Sequence, residues 1–372
     1  MPLFTDVFID VTKEGRKIPQ EQYLAEGLYQ IIDQGQNDIA GYSNNSDGIY
    51  TDVPVIVFGD HTRVFKYVDH PLFLGADGVK LLKPRDRSNS AKYLFYALKA
   101  SRIPDTGYNR HFKWLKEVYV PVPSLNRQKE IASVLDKIEY ILSLHKQQLA
   151  KLDELVKSQF IEMFGNPVTN NCKLPTMPMT SLCEIIDGDR GKNYPKAEDF
   201  SNTGYCLFLN TKNVATNGFN FDKCMFITEE KDKSLNKGRL KRGDLVLTTR
   251  GTIGNLAYYN ETIPYEHIRI NSGMVILRVK KTLLSERFFI VQFNLLLDYI
   301  KSNIVCGSAQ PQLPISTMNR INILVPDKEK QELFSAFWEQ SDKSKFAIQH
   351  SIEKLETLKA SLMQEYFGGG AL

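Results

Sequence analysis

The sequence predicts an α+β protein: two small α/β-type heads joined by two long antiparallel coiled-coil helices, with an approximate two-fold relation between the halves. Three observations lead to this fold class. The chain repeats itself without a gap at an offset of 203 residues, so that 122–165 aligns with 325–368. Each copy has the pattern of a long helix, and each follows a segment of short apolar runs and turn residues. Solenoid units repeat every 20–50 residues or so, and the much longer period indicates two complete domains.

Both copies of the repeat carry the start and stop signals of a helix. Ser124 and Asp327, each directly after a proline, can act as N-caps. Neither copy then contains Pro or Gly until a closing glycine, Gly165 or Gly368, which suits the left-handed position that ends many helices. The identical pairs at this offset include Gln128 with Gln331, Lys151 with Lys354, Leu155 with Leu358, and Ser158 with Ser361.

Apolar residues recur along each predicted helix at alternating steps of four and three, the heptad pattern of a helix that packs along a partner helix. The second copy is less regular, because Ser341, Lys345 and Lys359 occupy seam positions. His145, on the first seam, is predicted to be a packed or register-setting residue rather than a ligand. The predicted seam comprises Ile131, Leu135, Ile138, Leu142, Leu149, Leu152 and Val156 in the first helix, and Phe334, Trp338, Ile348, Ile352, Leu355 and Leu362 in the second.

The order of the segments predicts the geometry. The first helix carries the chain from the first head to the second, and an antiparallel second helix would return to the first head. A coiled-coil hairpin with no role beyond packing is the alternative. The predicted segments are an N-terminal head 1–123, a helix 124–165, a C-terminal head 166–326, a helix 327–368 and a tail 369–372.

Composition limits the class of protein. The sequence has no signal peptide and no apolar run near 18 residues, so we expect a cytoplasmic protein with no membrane contact. All five cysteines lie in the second head without a CxxC motif, which predicts buried thiols and no metal site. The net charge of +4 is uneven: residues 166–326 carry +6, whereas residues 1–123 carry none. If the chain binds nucleic acid, basic residues must therefore cluster locally or partners must supply phosphate contacts.

The two heads resemble each other in pattern. A predicted buried strand at 53–58 precedes Gly59, and a similar strand at 243–248 precedes another polar, Gly-containing loop. Gly78–Leu82 parallels Gly273–Leu277 at an offset of 195, and two predicted helical runs, 93–98 and 288–293, keep that offset. The offset then grows to 203, so loop residues were added near Gly107 and Gly307. A shared framework with different loops suggests one task performed on two different targets.

These segments resemble the specificity subunit of a type I restriction–modification system. The resemblance is carried by residues 123–132 and 147–165, with support from 59–62 and 243–248, and it covers the whole chain. It implies that each head is a target-recognition domain for one half of a split site in double-stranded DNA. It also implies that the helices set the spacing and dock two methyltransferase subunits, which restriction subunits join. Cofactors are expected only on those partners, S-adenosylmethionine and ATP with Mg²⁺.

Base recognition needs Arg, Lys, Asn, Gln and similar side chains on loops that can enter a groove. The first head offers such residues around Gly59, after residue 84 and next to Gly107, and the second offers them on Gly-flanked loops. The predicted DNA contacts are His61, Arg63, Lys66, Arg85, Arg87, Arg110, His111 and Lys113 in the first head, and Arg190, Lys192, Asn193, Asn210, Lys212, Asn213, Arg250, Thr252, Gln310 and Gln312 in the second.

Motifs for catalysis are missing from the sequence. There is no Asn-Pro-Pro-Tyr-like tetrapeptide for adenine methylation and no GxxxxGK[ST] loop for ATP. The sequence therefore predicts a non-catalytic DNA-specificity subunit that directs an adenine methyltransferase and a nuclease. Two other classes stay open: a coiled-coil scaffold whose heads bind peptides or proteins, and, less favoured, a solitary nuclease.

Overall fold

The computed structural model describes residues 1–75, 78–107, 109–216, 218–307 and 311–368. The chain divides into two compact units, one formed by Met1–Gln147 with Ile348–Leu372 and the other by Gln148–Ala347. Each unit therefore contains one head and a part of both long helices. No helix in the described part of the chain combines the length and the apolar character that a membrane span requires.

The first unit contains two sheets, and a ten-residue helix packs on the larger of them. One sheet has the strand order β1-β7-β4-β5 with antiparallel neighbours, and the other has the order β3-β2-β6, in which β2 and β6 are parallel. The strands are β1 Phe8–Asp10, β2 Tyr29–Ile32, β3 Gly41–Ser43, β4 Val55–Gly59, β5 Phe65–Val68, β6 Leu72–Leu74 and β7 Val79–Pro84. The helices are α1 Phe4–Val7, α2 Ala91–Ala100 and α3 Phe112–Leu115, with 3-10 turns at Thr12–Glu14 and Gln20–Gln22. The long helix α4 Leu125–Phe164 follows, and the first unit contains its residues up to Gln147.

The second unit contains the same arrangement with added small strands. Its larger sheet has the order β15-β14-β17-β9, and a three-stranded sheet has the order β13-β10-β16, in which β10 and β16 are parallel. The strands are β8 Thr176–Pro178, β9 Cys183–Asp187, β10 Cys206–Leu209, β11 Val214–Ala215, β12 Gly218–Phe219, β13 Phe226–Ile227, β14 Leu245–Thr248, β15 Leu256–Tyr258, β16 Ile268–Ile270, β17 Met274–Val279 and β18 Asn322–Leu324. The helices are α5 Met179–Leu182, α6 Glu229–Ser234, α7 Glu286–Asn303 and α8 Lys328–Phe367, with 3-10 turns at Ala197–Asp199, Thr211–Asn213 and Ile315–Arg320.

The two heads share a register as well as a strand order. Ile56 pairs with Leu82 across β4 and β7, and Leu245 pairs with Leu277 across β14 and β17. The glycines of the sequence comparison, Gly78 and Gly273, both lie directly before the second strand of these pairs. Every residue of β4 and of β14 is buried, since a central strand with packing on both faces selects an unbroken apolar run. The framework that the sequence comparison predicted is therefore present in both heads.

Each long helix is attached to its own head by a buried glutamine of the repeat. The side-chain oxygen of Gln128 accepts a hydrogen bond from the backbone N–H of Ser90 at 2.9 Å, and its amide nitrogen donates to the carbonyl of Pro123 at 2.8 Å. Gln331 makes the same contacts with Ser285 at 2.9 Å and Pro326 at 2.8 Å. Because a buried amide must satisfy both its donor and its acceptor, this contact fixes the start of each helix on the head that precedes it.

The long helices are antiparallel in each unit, as the sequence predicted. In the first unit, Lys359 near the end of α8 forms an ion pair at 2.6 Å with Glu139 near the start of α4. In the second unit, Phe334 near the start of α8 packs on Phe160 near the end of α4, with ring centroids 5.4 Å apart. Lys345 and Lys359, which interrupt the predicted seam, are thus cations of interhelical ion pairs, Lys345 with Asp153.

Burial along the helices follows the heptad pattern. Seven of the predicted seam residues are buried: Ile131, Leu135, Ile138, Leu142, Val156, Phe334 and Ile352. Six others are half-buried: Leu149, Leu152, Trp338, Ile348, Leu355 and Leu362. His145 is also half-buried, and Ser341 is buried.

The cysteines only partly follow the prediction of buried thiols. All five are free; Cys183 and Cys206 are buried, and Cys224 is half-buried. Cys172 and Cys306 are exposed, so the prediction is wrong for them. Both lie in loops outside the sheets, where they are not part of an apolar run that packs in the core.

Candidate nucleic-acid interface

The turn between β16 and β17 is the centre of a loop cluster in the second head. The carbonyl of Gly273 in this turn accepts the backbone N–H of Thr249 at 2.9 Å and that of Arg250 at 3.2 Å. The carbonyl of Ser272 accepts a hydrogen bond from the guanidinium of Arg190 at 3.2 Å. The same guanidinium lies 3.1 Å from a carboxylate oxygen of Asp187. Arg190 and Arg250, which are 60 residues apart in the sequence, are thus held by one turn.

Two further loops join this cluster. A Cβ atom added to Gly273 would lie 2.9 Å from the methyl carbon of Thr211, so the 3-10 turn that carries Lys212 packs directly on this glycine. Gln312 forms a backbone bridge with Arg250, and the next residue, Leu313, donates its N–H to the carbonyl of Thr249 at 2.9 Å. The cluster therefore gathers five of the predicted contacts, all exposed: Arg190, Lys212, Arg250, Thr252 and Gln312. We call these residues the second-head cluster.

Other predicted contacts of the second head have structural roles. Asn213 is buried, and its amide nitrogen donates to the carbonyls of Asn220 and Lys223, both at 2.9 Å. The structure thus corrects the prediction for Asn213: both hydrogens of its amide are used to close a loop. Asn210 accepts the N–H of Lys212 at 2.9 Å and so caps the 3-10 turn. Asn193 is half-buried and donates to the carbonyl of Ser234 at 3.0 Å.

Of the remaining predictions, Lys192 is exposed on the loop after Gly191. Gln310 lies outside the described residues.

Buried polar residues that sequence reasoning missed support these loops. The Asp189 carboxylate accepts backbone N–H groups from Gly191 at 2.7 Å, Asn236 at 2.7 Å and Lys237 at 3.3 Å. Burial by itself raises the pKa of this carboxyl. The three hydrogen bonds lower the pKa by more than burial raises it, so the pKa lies below its ordinary value. The charged carboxylate therefore ties the loop of Arg190 to residues 236–237. Only the spacing of Asp189 two residues before Gly191, a turn signal, could have suggested this role.

A buried ion pair lies beneath the same segment. Arg269 in β16 forms an ion pair with Asp232, and both side chains are almost completely buried. The guanidinium also donates to the carbonyls of Lys237 at 2.6 Å and Leu235 at 3.1 Å. Because a buried charge needs full hydrogen bonding, this network gives residues 235–237 one conformation. No local sequence pattern marks this pair, since its members are 37 residues apart.

The first head has a loop cluster at the equivalent edge of its sheet. Asp60 follows β4 directly; its N–H donates to the carbonyl of Gly78 at 2.7 Å, just as Thr249 donates to Gly273. The carbonyl of Asp60 accepts the N–H of His111 at 2.8 Å, which matches the bond from Leu313 to Thr249. The predicted contacts His61, Arg63 and Arg110 lie on the two loops that meet here, and Lys113 lies in α3, directly after the second loop.

The side chains of this first-head cluster differ in exposure. Arg63 has a positive φ of 60° and forms an ion pair with Asp105 at 2.7 Å, which links the turn after β4 to the loop at 103–107. Arg110 is exposed. Lys113 is exposed as well, with its ammonium 4.9 Å from the centre of the Trp114 ring. His61 is half-buried, and its N–H donates to Gln34 at 3.2 Å.

The structure corrects the predictions for Lys66 and His111. The Lys66 side chain is 5% exposed, and its ammonium donates to the carbonyl of Asp33 at 2.9 Å and lies 3.5 Å from the carboxylate of that residue. Burial lowers the pKa of this lysine. His111 is fully buried beneath the loops. Both residues therefore hold the loops from inside rather than reach a DNA base.

Arg85 and Arg87 are not brought together with the other predicted contacts. They follow the far end of β7 from Gly78, and a six-residue strand puts that end about 17 Å away. Arg85 donates to the carbonyl of Thr5 at 2.7 Å, and Arg87 pairs with Asp52 at 3.0 Å. These two arginines therefore lie at the opposite end of the sheet from the other predicted contacts, a separation that a pattern of basic residues along the chain does not show.

The fold and the two clusters define a class of protein: a two-headed, loop-based binding protein on a shared framework, with paired helices attached to each head. Among the described residues, no group of His, Cys, Asp and Glu side chains is arranged to hold a metal ion. Residues 4–154 and 175–359 match the family model described as "Type I restriction modification DNA specificity domain". The chain belongs to this family.

Relatives of known function agree with this membership. The specificity subunit of type I restriction enzyme MjaVIII from Methanocaldococcus jannaschii is 24% identical over 324 residues, covering 78% of this chain and 74% of that protein. The specificity subunit of type I restriction enzyme EcoR124I/EcoR124II from Escherichia coli is 30% identical over 122 residues, covering 29% of this chain and 30% of that protein. The crystal structure of the type I restriction–modification S subunit from M. genitalium has a TM-score of 0.58 at 16% identity, covering 98% of this chain and 97% of that chain, which shows a shared fold.

Proposed function

We propose that this chain reads a split DNA site, one half with each head, and directs an adenine methyltransferase and a restriction nuclease to it. The observation that carries this proposal is the pair of loop clusters. The two clusters lie at the same end of the strands in the equivalent sheets of the two heads, yet they present different side chains. Exposed Arg, Lys and Gln on such loops match the hydrogen-bonding groups of base edges in the major groove. Unlike clusters then recognise unlike half-sites.

The long helices are proposed to set the distance between the half-sites. Each helix has 40 residues, and each begins at a glutamine contact that attaches it rigidly to a head. A helix lengthens by about 10 Å for each added heptad, which corresponds to about 3 bp of B-DNA. Whole heptads also keep the apolar seam in register.

The remaining steps of restriction and modification are assigned to partners. We propose that the chain has no catalytic activity, that two methyltransferase subunits bind it, and that restriction subunits join the complex. S-adenosylmethionine and ATP with Mg²⁺ would be bound by those subunits. All of this would take place in the cytoplasm, where the DNA is.

Three measurements test the proposal. Mapping of modified adenines in the host genome, with and without the gene, should reveal a split motif with one methylated adenine on each strand. The purified complex with the methyltransferase should then prefer that motif to random duplex in a competition binding assay. Inserting one heptad into each long helix, at matched positions, should lengthen the preferred gap by about 3 bp.

A protein scaffold is the competing function, because the helices also expose apolar residues such as Tyr140 and Phe346. A complex that binds the mapped motif no better than random duplex, or an unchanged methylation pattern in the gene deletion, would favour the scaffold. Metal-dependent DNA cleavage by the purified chain would instead favour a solitary nuclease.

A further inference from the structure

We infer that His111 is a positioning residue for the DNA-reading loops of the first head. The inference rests on the proposed function and names a residue that acts through others. His111 is fully buried, so it cannot touch a base itself. Its position at the junction of three loops is what gives it a role.

The contacts of His111 join these loops. Its backbone N–H and its ring Nδ1 both meet the carbonyl oxygen of Asp60, at 2.8 Å and 3.0 Å. The ring Nδ1 must carry a proton to donate to a carbonyl, so the contact selects one tautomer and one orientation of the ring. The ring Nε2 then lies 3.4 Å from the hydroxyl of Thr106. One side chain therefore connects the turn after β4 with the loop before α3.

Asp60 completes the junction from the other side. Its carboxylate, which is almost fully buried, accepts the N–H of Phe112 at 2.7 Å. Its own N–H donates to Gly78 at 2.7 Å, so the turn before β7 is held as well. Arg110, directly before His111, is exposed at this junction. Any movement of the ring would be transmitted to Arg110 through one peptide bond.

The second head shows that the framework does not itself require a histidine here. Leu313 occupies the equivalent place, donates its N–H to Thr249 at 2.9 Å, and is buried in the apolar core. A leucine thus satisfies the fold, while only an imidazole can bond to both Asp60 and Thr106. What the histidine adds is the orientation of the loops that carry three of the first head's predicted contacts, His61, Arg63 and Arg110, and of the start of α3, which carries Lys113.

The test compares His111→Leu with His111→Asn in the complex with the methyltransferase. Leucine copies the second head and removes both ring contacts, whereas the amide nitrogen of asparagine can still donate to Asp60. Each complex is titrated with three duplexes: the mapped site, the site with one half scrambled, and the site with the other half scrambled. We expect His111→Leu to reduce discrimination about ten-fold at one half-site only, and His111→Asn to restore most of it. Thr106→Val, an exposed change that leaves the fold intact, should reduce discrimination about three-fold at the same half-site.

Arg250→Ala, in the second head, provides the matched comparison, because this variant should lose discrimination at the opposite half-site. The inference is overturned if His111→Leu discriminates like the wild type, or if it reduces discrimination equally at both half-sites. It is also overturned if His111→Leu and Arg250→Ala reduce discrimination at the same half-site. Should His111→Leu fail to assemble, Thr106→Val, for which a loss of discrimination is also expected, decides by the same criterion. A wild-type complex that prefers neither half-site would instead refute the proposed function.

Discussion

The first and second heads have the same framework and differ at the places where the framework meets the loops. Val57 pairs with Lys66 in the first head, and Val246, its counterpart, pairs with Ala257 in the second. The ammonium group of the lysine donates hydrogen bonds to backbone carbonyls within residues 33–37, whereas the side chain of the alanine packs in the apolar core. The comparison shows that the same sheet framework can carry different loops if the residues at a few buried positions differ to suit those loops.

Loop support also differs in kind. The first head depends on one buried carboxylate, that of Asp60, and on the imidazole of His111. The second head depends on carboxylates buried under its loops, Asp189 and Asp232, and on the guanidinium of Arg269. This agrees with the excess positive charge of residues 166–326, since a loop cluster rich in Arg and Lys is stabilised by buried anions nearby. Substitutions in both heads and in the long helices would test how far the comparison holds.

The largest effect is expected from Arg250→Ala, in the second-head cluster. An arginine that contacts a guanine edge contributes about 1–3 kcal/mol of discrimination, so methylation at the mapped site should fall by roughly 10-fold to 100-fold. Assembly with the methyltransferase should be unaffected, because Arg250 is remote from both long helices in sequence and lies on a loop. The measurement is methylation of the cognate duplex by the assembled complex.

Arg87→Ala is the matched control for that prediction. Arg87 is also an exposed arginine, but it lies at the other end of its sheet and pairs with Asp52. Surface ion pairs contribute about 0–1 kcal/mol, so both methylation and stability should stay close to the wild type. An effect of Arg87→Ala as large as that of Arg250→Ala would refute the division of the sheet into a reading edge and a supporting edge.

A middle-sized effect is expected at the helix attachments. Gln128→Ala and Gln331→Ala each leave a partly buried backbone N–H, of Ser90 or Ser285, without its acceptor. Each variant should lower the free energy of unfolding of its own unit by about 1–3 kcal/mol. Thermal unfolding checks this prediction, with the exposed Gln147→Ala as the control variant. A lower free energy of unfolding in one unit but not in the other would show that this contact does not stabilise the two units equally.

The smallest effect, and one that depends on pH, is expected from Glu139→Gln. Burial raises the pKa of the Glu139 carboxyl, but its hydrogen bond with Lys359 and the charges of Lys99 and Lys359 outweigh this and lower the pKa below the ordinary value of 4.5. A carboxyl with a lowered folded-state pKa stabilises the protein above its unfolded-state pKa, and this contribution is lost as the pH falls through the folded-state value. The wild type should therefore be more stable than the variant at neutral pH, by about 0.2–1 kcal/mol for this partly exposed ion pair.

Denaturant unfolding at a series of pH values measures that difference. It should shrink as the pH falls below 4.5, the ordinary pKa of this carboxyl, and disappear once both states are protonated. A difference that is constant from neutral to acidic pH would indicate lost packing rather than a lost ion pair.

Some residues could be predicted from the sequence because their signals are local or repeated. The helices could be located within one or two residues, since their start signals, their glycine ends and their heptads lie in one continuous stretch. Their antiparallel packing followed from the order of the segments. The second-head cluster was predicted in part for the same reason: Arg250 lies between turn residues that follow a strongly apolar strand.

Other residues were misjudged because burial depends on partners that are distant in the chain. Lys66 lies in the alternating strand β5, whose pattern does not show which face is covered, and residues 33–37 cover the face that carries Lys66. His111 next to Arg110 looked like part of a basic surface, and only its contact with Asp60, 51 residues earlier, places it inside.

The sequence by itself determined the family, the repeat of head and helix, and the apolar seam, because each of these is a pattern of residue types along the chain. The tertiary structure alone decided which polar residues face outward and which support the loops. The physical reason is the cost of burying a polar group without a partner: whether a lysine or histidine can lie inside depends on carbonyls and carboxylates that folding brings to it. Those partners come from separate loops, and no local pattern specifies them.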